Sequence, residues 1–137
     1  MKLNTYLHFP GNCHEAFKFY EKALGGKIVT LQTYGDSPAA AQSPAGWKDK
    51  IIHARIEVGD TLIMGSDAPP DRQAKAQGFS LSLRFDTAAQ AERAFQALSD
   101  KGVVGAALQE SFFAERFGMV TDRFGTPWMV LCEKKQG

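Results

Sequence analysis

Apolar and polar residues alternate along much of this chain with a period of two, and the alternation is interrupted twice by a helical period. Residues Leu3 to Phe9 predict a first strand, with Leu3, Leu7 and Phe9 on one side and Asn4, Tyr6 and His8 on the other. Ala16, Phe17, Tyr20 and Leu24 then fall on one helical stripe, with Lys18, Glu21 and Lys22 opposite. Asn12 and Glu15 read as a capping box at the start of this helix, and Gly25-Gly26 as its stop. The spacing therefore predicts a helix over Cys13–Leu24. Lys27 to Tyr34 is β-branched and strand-like.

Gly35 to Lys50 has no useful period and is rich in Ala, Ser, Pro and Gly, the texture of a lid or binding loop. Ile51 to Val58 alternates again, Gly59-Asp60 turns the chain, and Thr61 to Ser66 returns as a hairpin partner. In the outward strand Ile52, Ala54, Ile56 and Val58 should pack on the helix, leaving His53, Arg55 and Glu57 on the other face. A second loop, Asp67 to Gly78, carries Pro69-Pro70.

The same order then begins again. Phe79 to Phe85 alternates strictly, with Ser80, Ser82 and Arg84 as its polar set. Thr87 and Gln90 predict a capping box for a helix whose apolar stripe is Ala91, Ala94, Phe95 and Leu98, ended by Lys101-Gly102. Val103 to Glu110, Arg116 to Thr121 and Pro127 to Glu133 follow as strands, the last two joined by a turn at Asp122 to Gly125. The helices start about 75 residues apart. The chain is thus an internal repeat of strand, helix and three strands, an α+β single domain with modules at about 1–67 and 78–137 joined by a loop. Each module has one helix for one sheet face, so the other face must line a cleft or meet a second subunit.

Length and composition fit a globular domain of 137 residues: 44% are hydrophobic and 23% charged. Sixteen basic against fifteen acidic residues leave +1, with no clustering of cations, which argues against nucleic acid or an anionic membrane surface as partner. The N-terminus lacks the basic and apolar regions of a signal peptide and no apolar run is long enough to span a membrane, so the cytoplasm is the expected location. Cys13 and Cys132 read as free buried thiols.

Several blocks carry a resemblance. They are Tyr6 to Cys13 running into Glu15 to Tyr20, Ala23 to Gly26, Ile52 to Ile56 with Leu62 to Asp67, and Arg116 to Asp122 followed by Phe124-Gly125 and Trp128-Met129. Over nearly its whole length the chain resembles the PhnB-like branch of the glyoxalase/bleomycin-resistance/dioxygenase (vicinal-oxygen-chelate) superfamily. That resemblance implies paired βαβββ modules with cup-shaped mixed sheets, helices on the outer face, a concave small-molecule site, and commonly a homodimer. Some members of the branch carry a demethylubiquinone methyltransferase label. The chain has no G-x-G turn and no parallel βαβ series to admit a methyl donor, which argues against that chemistry.

Metal-using relatives draw two His and two Glu from four elements. Registering this sequence on that pattern places Thr5, Met64, Ser80 and Met129 at those positions, a quartet too soft and too neutral for Zn, Ni or Fe. The residue polarity offers a second arrangement, in which His8 and His53 converge and Glu57 or Glu133 completes a divalent-metal site.

The remaining candidates each have two readings. Arg84 pairs with an anionic ligand or is a solvated edge residue. Arg116 recognises an anion, or pairs with Asp122 or Glu115. Trp47 closes over a ligand or inserts into a partner subunit. Trp128 belongs to the core or a dimer interface, with a pocket wall as the second reading. Met64, Met119 and Met129 line a deformable pocket or are plain core. Glu57 and Glu133 are the candidate bases, and no G-x-S-x-G elbow is present.

The expectation is a small-molecule-binding protein whose ligand residues are drawn from Tyr6, His8, Trp47, His53, Met64, Ser80, Arg84, Arg116 and Met129. The protein would work as a homodimer and without a metal cofactor. The competing expectation is a metal-dependent lyase, isomerase or dioxygenase using His8 and His53.

Overall fold

A computed structural model describes residues 1–135. The chain divides into two compact units, Met1–Ala74 and a second that begins at Lys75. In the first, β1 (Thr5–Phe9), α1 (Cys13–Leu24), β2 (Lys27–Thr33), β3 (Ile51–Val58) and β4 (Thr61–Asp67) follow in order. The second repeats that order with β5 (Leu81–Phe85), α2 (Ala88–Ser99), β6 (Val103–Gln109), β7 (Ala114–Thr121) and β8 (Pro127–Glu133). The sheets run β1-β4-β3-β2 and β5-β8-β7-β6, the same topology twice. In each the first and last strands of the unit pair in parallel and the other pairs are antiparallel. These are the two βαβββ modules of the α+β fold that the repeat predicts. Among the described residues no helix is long and apolar enough to cross a membrane.

Each helix covers one face of its own sheet. In the first unit Cys13, Ala16, Phe17 and Tyr20 are fully buried, with Leu7, Phe9, Ala54, Ile56 and Ile63 of the sheet. The contact is close because β4 offers a glycine where the helix presents an aromatic ring. A Cβ built on Gly65 would lie 2.9 Å from Phe17 Cε1 and Cζ. The second unit does the same with Phe95, whose Cε2 would lie 2.8 Å from a Cβ on Gly118. Ala91, Ala94, Phe95 and Leu98 are all buried, as their spacing predicts.

The two helices start differently. Thr87 Oγ1 accepts the Gln90 N–H and Gln90 Oε1 accepts the Thr87 N–H, a complete capping box. The box predicted at Asn12 and Glu15 does not form. Asn12 is the N-cap residue but makes no side-chain cap bond, and its Oδ1 is buried without a partner among the described residues. Asp67 takes over the task from the end of β4: its Oδ1 accepts the Cys13 N–H at 2.9 Å and its Oδ2 the Ile51 N–H at 2.8 Å. A carboxylate at a helix N-terminus satisfies an orphan donor and complements the helix dipole.

Two strand starts also differ from expectation. Leu3, 99% exposed, stays outside β1, and Phe79 and Ser80 precede β5. Both stretches alternate in sequence, but β4 and β8 offer hydrogen-bonded partners only from Thr5 and Leu81 onward. Trp128 is core, 1% exposed, its Nε1 donating to Asp122 Oδ2.

Candidate functional site

With one sheet face of each unit under a helix, the opposite face is open to chemistry. In the first unit the register fixes what it presents. Tyr6 pairs with Met64 and Met64 with Arg55, so these three side chains share a row across β1, β4 and β3. His8 lies beside Ser66 in the next row. Tyr6 sits between two imidazoles. Its ring centroid is 5.0 Å from that of His8 and 5.9 Å from that of His53, and its hydroxyl lies 3.5 Å from His53 Nδ1, at the limit of hydrogen-bond reach. Tyr6, His8 and His53 are thus on one face, where the polarity of the strands puts them, and Met64 stands beside Tyr6 in the same row.

Beyond His8 the face deepens into a pocket of about 240 Å³, lined by His8, Tyr34, Ser66, Asp67, Pro69 and Arg72. Tyr34, Pro69 and Arg72 also border an adjoining recess of about 300 Å³ that continues to Ala39, Ser43 and Pro44. The Tyr34 hydroxyl donates to the Asp67 carbonyl at 2.9 Å. Burial first, and then the charge of Asp67, raise the Tyr34 phenol above its ordinary value, while Arg72 pulls it down. Tyr34 and Arg72 escape a reading of the sequence, because Tyr34 is the last residue of a predicted strand with nothing to mark it as part of a site and Arg72 stands in a loop without periodicity. The one signal was a tyrosine and an arginine flanking loops on either side of a predicted hairpin.

Trp47 has a structural role within its own unit. Its ring is 9% exposed and packs edge-on against Tyr34 at 6.0 Å, pinning the loop it belongs to rather than standing free to close over a ligand. A large apolar ring in a polar loop has found core to bury itself in.

In the second unit Ser82, Met129, Met119 and Ala106 form one row of the open face, and Arg84, Leu131, Phe117 and Gln109 another. Arg84 is exposed and pairs with Glu133 at 3.2 Å, so one candidate cation neutralises one candidate base. Ser80, one residue before β5, is half-buried. Arg116 is not on this face. It pairs with Cys132, in the row under α2, and its Nε reaches Glu92 of that helix at 3.1 Å. Ordinary alternation with Gly118 and Val120 sets this parity, and the arginine ties strand to helix instead of facing a ligand. Neither rival partner is the right one: Asp122 accepts the Phe124 and Thr126 N–H groups, and Glu115 offers only its carbonyl.

The donor set does not suit a divalent metal of the superfamily type. Of the four registered positions, Met64 and Met129 lie on open faces as soft thioethers, Ser80 precedes its strand, and Thr5 pairs with Ile63 on the helix-covered side. The alternative set of His8, His53 and Glu57 does not assemble either. Glu57 pairs with Leu62 and Lys27 at the far end of β3, and among the described residues no three His, Cys, Asp or Glu side chains converge.

Residues 2–130 match the sequence model of the Glyoxalase/Bleomycin resistance protein/Dioxygenase superfamily. The chain belongs to this superfamily. Protein YjdN of Escherichia coli (strain K12) is 37% identical over 144 residues, covering 99% of this chain and 98% of YjdN. The crystal structure of protein PA1353 from Pseudomonas aeruginosa is 46% identical and superposes with a TM-score of 0.90, covering 98% of this chain and 99% of PA1353. The PhnB protein from Bacillus cereus, 23% identical with a TM-score of 0.81 over 96% of this chain and 99% of its own, shares the fold. The chain is a YjdN-like member of the glyoxalase superfamily and shares its fold with the PhnB protein.

Proposed function

We propose that this superfamily member is a small-molecule-binding protein that works without a metal. The observation that carries this reading is the open face of the first unit. It combines an aromatic and imidazole cluster at Tyr6, His8 and His53 with an adjoining pocket at Tyr34, Ser66 and Arg72, and offers the Met64 thioether where metal-using relatives need a harder donor. An aromatic wall with a few polar groups holds and orients a ligand.

The functional form in this reading is a homodimer. The second unit exposes Phe112 at 92%, Val103 at 72%, Phe113 at 51% and Val104 at 46%, apolar surface that a second copy would cover.

A thermal-shift screen of metabolites and divalent metals tests the reading. A ligand at one hundred times its dissociation constant stabilises by about 2.7 kcal/mol, and the shift should vanish in Tyr6→Ala and His8→Ala. Elemental analysis of the purified protein should give well under one equivalent of transition metal per chain. Stoichiometric Zn, Ni or Fe that is lost in His8→Ala would overturn the metal-free reading, and light scattering showing a monomer at micromolar concentration would remove the dimer.

A further inference from the structure

The pocket beyond His8 says more about the ligand than the open face does. Its one permanent cation is Arg72, which is exposed and has no ion-pair partner among the described residues. The segment that carries Arg72 is tied down at both ends. The Ala68 N–H donates to the Phe9 carbonyl at 2.7 Å, and the Gln73 side chain donates to the Ala68 carbonyl at 3.1 Å and the Pro10 carbonyl at 3.3 Å. Between these ties the Arg72 N–H closes a turn on the Pro69 carbonyl at 2.8 Å. These bonds fix the backbone from which the Arg72 side chain reaches the pocket, so no ordering of the turn is needed on binding.

The polar groups around Arg72 point to one sign and one magnitude of charge. Ser66, 9% exposed, brings a hydroxyl to the pocket, and His8 brings an imidazole. Asp67 also lines the pocket, but its two carboxylate oxygens are engaged by the Cys13 and Ile51 N–H groups. Asp71 borders the adjoining recess. The Arg72 guanidinium can match a single negative charge on a ligand, while Asp67, already engaged by two N–H groups, and Asp71 in the adjoining recess count against a second one. The recess past Arg72 is walled by Ala39, Pro44, Pro69 and the Tyr34 ring, with Gln42, Ser43 and Asp71 between them, so it takes a small, largely apolar body but repels a second negative charge.

We propose, resting on the binding reading above, that the first unit takes a small monocarboxylate: the carboxylate meets the Arg72 fork beside His8 and Ser66, and the apolar body lies in the recess between Pro44 and Pro69. Planar guanidinium and carboxylate match in two parallel hydrogen bonds, so charge and shape are recognised together.

Amide-resolved NMR titration with benzoate, benzamide and inorganic phosphate tests this. Benzoate and benzamide share a ring and differ in charge; phosphate supplies anionic oxygens without an apolar body. Benzoate should shift the amides of His8 and of residues 66 to 72 with an affinity at least about tenfold above that of benzamide, the factor expected when a hydrogen-bonded charge is matched. Arg72→Gln should bring benzoate down to the level of benzamide, and Arg72→Lys, which keeps the charge and loses the fork, should fall between. Unchanged amides elsewhere would show that the variants are folded. Equal shifts from benzamide, or full benzoate affinity in Arg72→Gln, would overturn the carboxylate assignment. So would a stronger response to phosphate, or silence of this segment to all three probes. Ligands from the metabolite screen that bind Arg72→Gln normally but fail on His8→Ala would remove the carboxylate and leave the binding face standing.

Discussion

The Asp67 side chain holds the first helix to the sheet: its Oδ1 accepts the backbone N–H of Cys13, 54 residues earlier in the chain, at 2.9 Å. The other oxygen takes the first N–H of β3, at Ile51, so one buried carboxylate joins the start of α1, the start of β3 and the end of β4. Asp67→Ala would leave two buried donors unmatched, and should destabilise the protein by about 3 kcal/mol in urea unfolding. Hydrogen exchange should speed up at the Cys13 and Ile51 amides first. A loss within about 0.5 kcal/mol, the range of an ordinary surface substitution, would show that the carboxylate does not organise the unit.

The two helix starts predict opposite outcomes for similar-looking substitutions. Thr87→Ala removes a cap bond that is made and should cost about 1 kcal/mol. Asn12→Ala removes a carbonyl that has no partner and should cost distinctly less. Equal losses in parallel unfolding curves would contradict this account of α1.

Alkaline pH should weaken the fold through Cys13. The thiol is fully buried, and burial, followed by the charge of Asp67, pushes it well above its ordinary value of 9.0. The folded chain therefore keeps a proton that the unfolded chain gives up. That contribution is complete below pH 9 and is lost as the pH rises beyond it, by up to about 1.4 kcal/mol per pH unit for this proton. Unfolding free energies at pH 8, 9, 10 and 11 should fall, and the fall should be shallower in Cys13→Ala. Parallel slopes in the two proteins would rule the thiol out.

Gly65→Ala and Gly118→Ala should each destabilise by about 1–3 kcal/mol, the usual penalty for overpacking. The added methyl would meet Phe17 at 2.9 Å and the Leu7 carbonyl at 3.0 Å in one unit, and Phe95 at 2.8 Å and the Leu108 Cα at 2.9 Å in the other. Pairing Gly65→Ala with Phe17→Leu should recover part of the loss, because the ring is the movable half of the clash. The two units should respond alike.

The fold was legible because both helices and most strands announce themselves by period, and because the period repeats. Cys13–Leu24, Ile51–Val58 and Pro127–Glu133 agree with their sequence patterns at both ends. What escaped reading depends on partners distant in sequence. Asn12-x-x-Glu15 and Thr87-x-x-Gln90 look equivalent, yet only the second pair caps its helix, since Asp67 serves the first from across the unit. Arg116 lies on the helix-covered face in step with Gly118 and Val120, and what escaped reading was its partner, Glu92 on the distant helix. The grouping of Tyr6, His8 and His53 followed from alternation alone. The pocket of Tyr34 and Arg72 did not, because loops bring it together.

The parallel pairing of first and last strands also sets an order of assembly on the ribosome. In each sheet the strand made last is an interior one: β8 lies between β5 and β7, and β4 between β1 and β3. The first sheet can close once Asp67 has emerged, while β5 has no β-partner until residues 127–133 are made. For most of the synthesis of the second half its opening strand is an unpaired edge, open to the neighbouring chain on a polysome, and a nascent chain stalled before Pro127 should be the aggregation-prone species.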